Sequence, residues 1–165
     1  MLAAAAGLSV PGLYYHFESK QAMLAKLVEI AMADLHERSV AADAEAGDSI
    51  AARLRCHIEC LVLFHAHRAD LAFVAASETR ALEAEARARH IAARDRQQRI
   101  LDRIVEEGVE MGLFLAENPR DTSRALVTMC TGVAQWYRLG GQLAPADLAR
   151  EYVLLAQRAL SQEGL

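Results

Sequence analysis

The residues best equipped for chemistry lie in one short stretch, Ser9-Val10-Pro11-Gly12-Leu13-Tyr14-Tyr15-His16-Phe17-Glu18-Ser19-Lys20. Tyrosine and histidine side chains hydrogen-bond phosphate or base edges and stack on sugars, and Lys20 adds a cation just beyond. Ser9 is a natural N-cap for a short helix, with Pro11 inside its first turn. The N-terminus of that helix points backbone N–H groups at a phosphate. Ala3 to Ala6 closes a preceding helix and Gly7 supplies the turn between the two. Helix, glycine turn and capped second helix form the arrangement that a helix-turn-helix uses to enter a major groove.

Other chemistry finds less support. Cys56 and Cys60 sit four apart on one helix with His57 between them. A structural zinc site takes four ligands from two paired clusters, and no second Cys-x-x-Cys exists, so the pair reads as two cysteines on a buried helix face and no metal is expected. His65 and His67, two apart, cannot share a helical face. None of the six histidines has a glutamate three residues before it, which excludes the di-iron bundle signature. His-Glu-x-x-His, Gly-x-Ser-x-Gly and the glycine-rich nucleotide loops are all missing, so catalysis is not argued and no cofactor is expected.

The elements that must position these residues are helices. The 165 residues include 33 alanines and 16 arginines against 2 lysines, and both abundant types are strong helix formers. No stretch alternates β-branched or aromatic residues with polar ones, so the fold class is all-α. A net charge of −4 excludes nucleic-acid binding by the whole surface and leaves only a local contact. Three cysteines, an odd count, fit a reducing cytoplasm, and no apolar run is long enough to span a bilayer, so a membrane partner is not expected.

Ser19 caps a long helix to about Ala44, with Leu24, Leu27, Val28, Ala31 and Leu35 as its buried stripe. Gly47-Asp48-Ser49 separates it from a helix at 49–67 whose buried face is Ile50, Leu54, Ile58, Leu61 and Phe64. A shorter apolar helix follows at 69–79, then a charged one at 82–111 with a core stripe of Ile100, Leu101, Ile104, Val105 and Met111. Six arginines and six acids between Glu83 and Glu107 balance, the pattern of a solvated face laced with i,i+4 pairs. Asn118-Pro119 opens a helix that runs to about Leu139 and is ended by Gly140-Gly141. Pro145 opens the last, to about Ser161, with Leu148, Tyr152, Leu155, Ala156 and Leu160 or Ala159 on one side.

The N-terminal stretch resembles the helix-turn-helix of the TetR family of bacterial repressors. The matching residues are Leu2-Ala3, Ala6-Gly7-Leu8-Ser9, Leu13-Tyr14-Tyr15-His16-Phe17, Ser19-Lys20 and Leu24. The resemblance implies that Tyr14 and Lys20 grip phosphates, that Ser9, Val10, Pro11, Gly12, Tyr15 and His16 face the groove, and that Leu8, Leu13 and Phe17 are core. It divides the chain into the remainder of a DNA-binding head at 1–18, a connecting helix at 19–46 and a ligand-binding and dimerisation domain at 47–165. In the family one helix and most of a second precede this point. Met1 falls in the last turn of that second helix, so the expectation is weak operator binding, or none, by the chain as numbered. The competing reading is then a dimeric ligand-binding module without DNA binding.

Met129-Cys130-Thr131-Gly132-Val133-Ala134-Gln135-Trp136-Tyr137-Arg138, with Gly140-Gly141-Gln142-Leu143 and Pro145, is similar to TetR-type repressors of fatty-acid or steroid-ring catabolism that answer to acyl-CoA thioesters. The segment from Phe73 to Leu82, with Glu78 and Arg80, is similar to the same subgroup. A CoA thioester needs a long apolar slot and cations for its phosphates. Expected slot residues are His57, Leu61, Phe64, Val74, Ile104, Met111, Phe114, Met129, Val133 and Trp136. Arg80, Arg138 and the arginines of 87–103 are expected at the phosphates, with Glu78 nearby in the same segment. The resemblance also implies a homodimer through the helices near 119–139 and 145–161. Gly132, in mid-helix at a cost of about 1 kcal/mol against alanine, fits a close crossing there.

Overall fold

The computed structural model describes residues 19–161. Three polar side chains start three of its helices by satisfying otherwise orphaned backbone N–H groups. The Ser19 hydroxyl accepts from the Ala22 amide at 3.0 Å and opens α1, Lys20–Ala46. The Ser49 hydroxyl accepts from the Ala52 amide at 3.3 Å and opens α2, Ile50–His67. The Asn118 side chain accepts from the Asp121 amide at 3.3 Å, with Pro119 in the first turn, and opens α5, Pro119–Trp136. Between them lie α3, Ala69–Ser77, a 3-10 turn at Glu78–Ala81, and α4, Ala84–Glu110. The last helix, α6, is Pro145–Ala159, again with proline in its first turn. All regular structure among the described residues is helical, in keeping with the all-α expectation.

Helix α2 lies at the centre and packs against α1, α3, α4, α5 and α6. That position explains its composition: Ile50, Leu54, Ile58, Leu61, Val62 and Phe64 are all buried, and burying each large side chain contributes about 1.5–3 kcal/mol. They meet Leu101, Ile104 and Val105 of α4, Leu126, Cys130 and Val133 of α5, and Leu148, Val153 and Ala156 of α6 in one core. A second, smaller cluster joins Leu24, Val28 and Ala31 of α1 to Ala75 of α3 and Leu82. No helix among the described residues is long and apolar enough to cross a membrane.

Four local departures from the periodicity have physical causes. The helix expected at 69–79 stops at Ser77 and tightens into the 3-10 turn. The helix expected to reach Leu139 stops at Trp136, because Tyr137 turns extended, with ψ 144°, to bury its ring and donate its hydroxyl to the Leu143 carbonyl at 2.7 Å. Met111 leaves the α4 stripe and is 66% exposed, since α4 ends at Glu110 and Gly112 at φ +69° turns the chain away. Leu155 faces outward at 46% exposure, the α6 stripe being Leu148, Ala149, Val153, Ala156 and Leu160.

Candidate functional site

Of the residues expected to touch DNA, Ser9, Val10, Pro11, Gly12, Tyr14, Tyr15 and His16 lie outside the described residues. Lys20 lies within them, in the first turn of α1 and exposed. From there α1 runs unbroken for 27 residues, about 40 Å at 1.5 Å per residue, into the body of the molecule. Anything that displaces α1 therefore displaces Lys20.

Three polar ties hold the far half of α1, the first an ion pair at 3.6 Å between Arg68 and the Asp34 carboxylate. The buried Gln97 amide of α4 donates to the Ser39 hydroxyl at 2.6 Å, and Ser39 also meets the Cys60 thiol of α2 at 3.8 Å. Further on, Arg53 of α2 bridges Asp43 of α1 at 2.7 Å and Glu107 of α4 at 2.5 Å. Both carboxylates hold the Arg53 guanidinium above its ordinary pKa, the Asp43 hydrogen bond most strongly and against the opposing effect of burial. Burial is the main cause that raises the Cys60 thiol pKa above its usual value.

The near half of α1 is held differently. Its neighbours on α4 are short: Ala25 and Ala33 look across at Ala86, Ala92 and Ala93. Such side chains cannot fill the space between two helices, and a cleft of about 300 Å³ remains, floored by Val28 and Met32. Glu29, Arg89, His90 and Arg96 supply its polar lining. Glu29 already accepts from Lys26 at 2.9 Å, and Arg89 donates to Glu85 at 2.6 Å. Among the described residues Arg96 has no acidic partner. His90 is buried and neither ring nitrogen has a hydrogen-bond partner. Burial first, and the charge of Arg94 second, lower its pKa; the Ala75 carbonyl pulls the other way without reaching hydrogen-bond geometry.

The residues expected to bind a ligand are dispersed. Leu61, Phe64, Ile104 and Val133 belong to the main core, and Phe114 and Met129 pack against it half-buried. His57 is fully buried with both ring nitrogens unpartnered, and burial lowers its pKa to about 4. Val74 packs on the smaller cluster, while Glu78 and Arg80 are exposed on the 3-10 turn. Met111 and Trp136 are exposed, and Arg138 is exposed while donating to the Tyr137 carbonyl at 2.8 Å. None of these thirteen side chains lines the α1–α4 cleft. Of the arginines at 87–103, Arg89 and Arg96 do. The sequence signal for the cleft was the run of alanines on the facing stretches of α1 and α4.

A third feature faces outward. Trp136 at 54%, Leu139 at 55%, Leu154 at 51% and Leu155 at 46% leave apolar side chains exposed on α5, α6 and the turn between them.

Comparison with known proteins gives this architecture a context. Residues 47–160 match the family description "Tetracyclin repressor-like, C-terminal domain", and residues 1–27 match "Bacterial regulatory proteins, tetR family". The chain is 25% identical over 169 residues to the HTH-type transcriptional repressor KstR2 of Mycobacterium tuberculosis, covering 99% of this chain and 82% of that relative. The solved structure of KstR2, a ketosteroid transcriptional regulator, superposes with a TM-score of 0.85 at 20% identity, over 98% of this chain and 83% of that one. The TetR family regulator PfmR from Thermus thermophilus gives 0.83 at 28% identity, over 98% and 87%. AibR, solved with isovaleryl coenzyme A and operator DNA, gives 0.77 at 20% identity, over 93% and 83%, and shows a shared fold. The head match and the C-terminal match lie in order on one chain and together take in most of it, so this chain belongs to the TetR family of transcriptional regulators.

Proposed function

We propose that the chain is a ligand-responsive repressor that acts in the cytoplasm and binds operator DNA as a homodimer. Residues 1–18 with Lys20 form the DNA-contacting part, 19–46 the connecting helix, and 47–165 the ligand-binding and dimerisation part. The observation that carries this reading is the course of α1. It begins inside the helix-turn-helix match, ends one residue before the C-terminal match begins, and its far half is tied to the C-terminal domain through Ser39 and Asp43. The relatives support the same assignment: KstR2 is described as a repressor, and AibR is solved with an acyl-CoA and an operator.

The mechanism follows from geometry. Two heads must sit one DNA turn apart to occupy successive major grooves. A small acyl-CoA-like effector held against α1 changes the position of its N-terminal end and hence the spacing of the heads. The effector lowers operator affinity only by binding the non-binding arrangement better, with a coupling of about 1–3 kcal/mol. The outward apolar face of Trp136, Leu139, Leu154 and Leu155 is the seam for the second copy.

The test is a fluorescence-anisotropy titration at fixed salt, using DNA from upstream of the gene. The chain is measured as numbered and with any in-frame coding sequence ahead of Met1. Saturable, sequence-specific binding by the extended protein that collapses on adding acyl-CoA thioesters is the expected result, with weak binding or none by the chain as numbered. Absence of specific binding by both proteins overturns the reading and leaves a dimeric ligand-binding module.

A further inference from the structure

The arginines of α4 balance its acids in number but not in space. Six arginines and six acids lie between Glu83 and Glu107, yet among the described residues only Arg89 with Glu85 pairs two of them. The acids of the second half turn to other helices. Glu107 takes Arg53 of α2, Glu106 takes Arg120 of α5, and Asp102 accepts from the Ser123 hydroxyl of α5 and the Gln98 amide. Arg96, Arg99 and Arg103 are left exposed, with no acidic partner among the described residues. Arg103 donates instead to the Arg99 carbonyl at 3.3 Å. Spacings of three and four residues set these like charges side by side, which is unfavourable on a helix without an external anion. They make a local positive edge on a chain of net charge −4.

That edge borders the α1–α4 cleft. Arg89 and Arg96 line the cleft, and Arg103, seven residues further, returns to nearly the same side of the helix. The floor is Val28 and Met32, and the walls are Ala25 and Ala33 of α1 with Ala86, Ala92 and Ala93 of α4. Walls this short let a third helix approach closely. The volume of about 300 Å³ holds about ten non-hydrogen atoms at the ~30 Å³ that a water occupies in the liquid, room for about two leucine side chains.

We propose that the cleft and its arginine edge form a docking surface for an acidic amphipathic helix of a partner protein. Apolar anchors one turn apart on that helix enter the cleft. Carboxylates beside them pair with Arg96, Arg99 and Arg103, whose guanidinium groups take a carboxylate on two donors at once. Charge and apolarity together select the occupant. The positive edge requires an anion, and the apolar floor beside it favours a protein segment over a bare phosphate chain, which has no apolar face to bury. The spacing fits as well. From Arg96 to Arg103 is about 10 Å at 1.5 Å per residue, and two turns of a helix laid alongside present carboxylates at that interval. The proposal stands apart from operator and effector binding, and its test contains neither.

Fluorescence anisotropy of the full chain with labelled synthetic peptides tests it. The first peptide is an alanine-based helix with leucines along one face and glutamates beside them. The second replaces each glutamate with glutamine, and the third is polyglutamate. The acidic helix is expected to bind about tenfold or more tightly than either control. Arg96→Gln combined with Arg103→Gln is expected to weaken it by about tenfold or more, to the level of the glutamine peptide. Ala92→Phe, which fills the cleft, is expected to weaken it as much. All three positions are exposed, so the melting temperature should stay that of the parent. Failure of the acidic helix to bind at millimolar concentration overturns the proposal, as does wild-type affinity in either variant. Equal affinity for polyglutamate also overturns it and leaves a surface for bare polyanions.

Discussion

His57 has no hydrogen-bond partner on either ring nitrogen, although α2 buries its side chain completely. Burial lowers its pKa from 6.5 to about 4, against a weaker upward pull from the Asp43 carboxylate. The sign of the consequence is fixed by proton counting. Above pH 6.5 the ring is neutral in folded and unfolded chains, and its titration does not affect stability. Between 6.5 and about 4 the unfolded chain takes up a proton that the folded chain refuses. Stability therefore falls as the pH drops through that window, by about 3 kcal/mol in all, and levels below it. His65, whose Nδ1 bonds the Leu61 carbonyl at 2.7 Å, and His90 also have pKa values lowered chiefly by burial and act in the same direction. We expect His57→Leu to flatten the dependence of urea-unfolding free energy on pH between 7 and about 4, and to raise stability at pH 7 by removing an unsatisfied donor. An unchanged pH slope in the variant rules His57 out as the source. His57 was expected to line a ligand slot; it neighbours Leu54, Ile58 and Leu61 on the helical period, which carries it inward. Whether a partner reaches its nitrogens depends on neighbours from other helices, which no local pattern encodes.

At the scale of the element, α4 closes with a contact that periodicity cannot foresee. Its last turn holds Gly108, whose carbonyl accepts from the Leu113 amide at 2.8 Å and the Phe114 amide at 3.0 Å. The returning chain lays the Phe114 ring against the Gly108 Cα, where a Cβ would overlap the ring. Alanine there gains about 1 kcal/mol of helix propensity but forces an overpacked ring, at about 1–3 kcal/mol. Gly108→Ala is thus expected to lower the melting temperature, by about 2–4 °C per kcal/mol of net loss for a chain of this size. A double-mutant cycle with Phe114→Ala checks the cause: the alanine should become neutral or stabilising once the ring is gone. An additive cycle disproves the contact. The elements that were legible share a reason. Ser19, Ser49 and Asn118-Pro119 are cap signals that act within one turn, and the α2 stripe follows a helical period set by its central position. The end of α5 was not legible, because Tyr137 breaks the helix to reach a carbonyl at Leu143. Nor was the cleft, which is made by what alanines on two distant helices fail to fill.

For the whole molecule, the family was readable because a helix-turn-helix is written in contiguous residues, whereas the ligand and dimer surfaces depend on how helices distant in sequence meet. Gly132 illustrates the difference. A Cβ at that position meets nothing within 4 Å, so the chain by itself gives no reason for glycine in mid-helix. Trp136 is similar: its ring stands edge-on to Tyr137, with centroids 6.0 Å apart, yet more than half of it faces outward. Both residues lie on α5, and Leu154 and Leu155 are likewise exposed on α6. A second copy related by a two-fold axis would cover these side chains in a single isologous contact. Leu155→Glu places a charge at the centre of that seam at a position already exposed in the single chain, so the fold should survive. We expect sedimentation velocity to report the mass of one chain for Leu155→Glu and a weakened dimer for Trp136→Ala. Operator affinity should then drop by about a hundredfold or more, since a second head no longer binds at the high effective concentration that the first supplies. Lys20 and the rest of the head are untouched by these changes, so a loss of DNA binding would be a loss of pairing. If both variants keep the parent's mass and its operator affinity, the seam lies elsewhere and these leucines are ordinary surface.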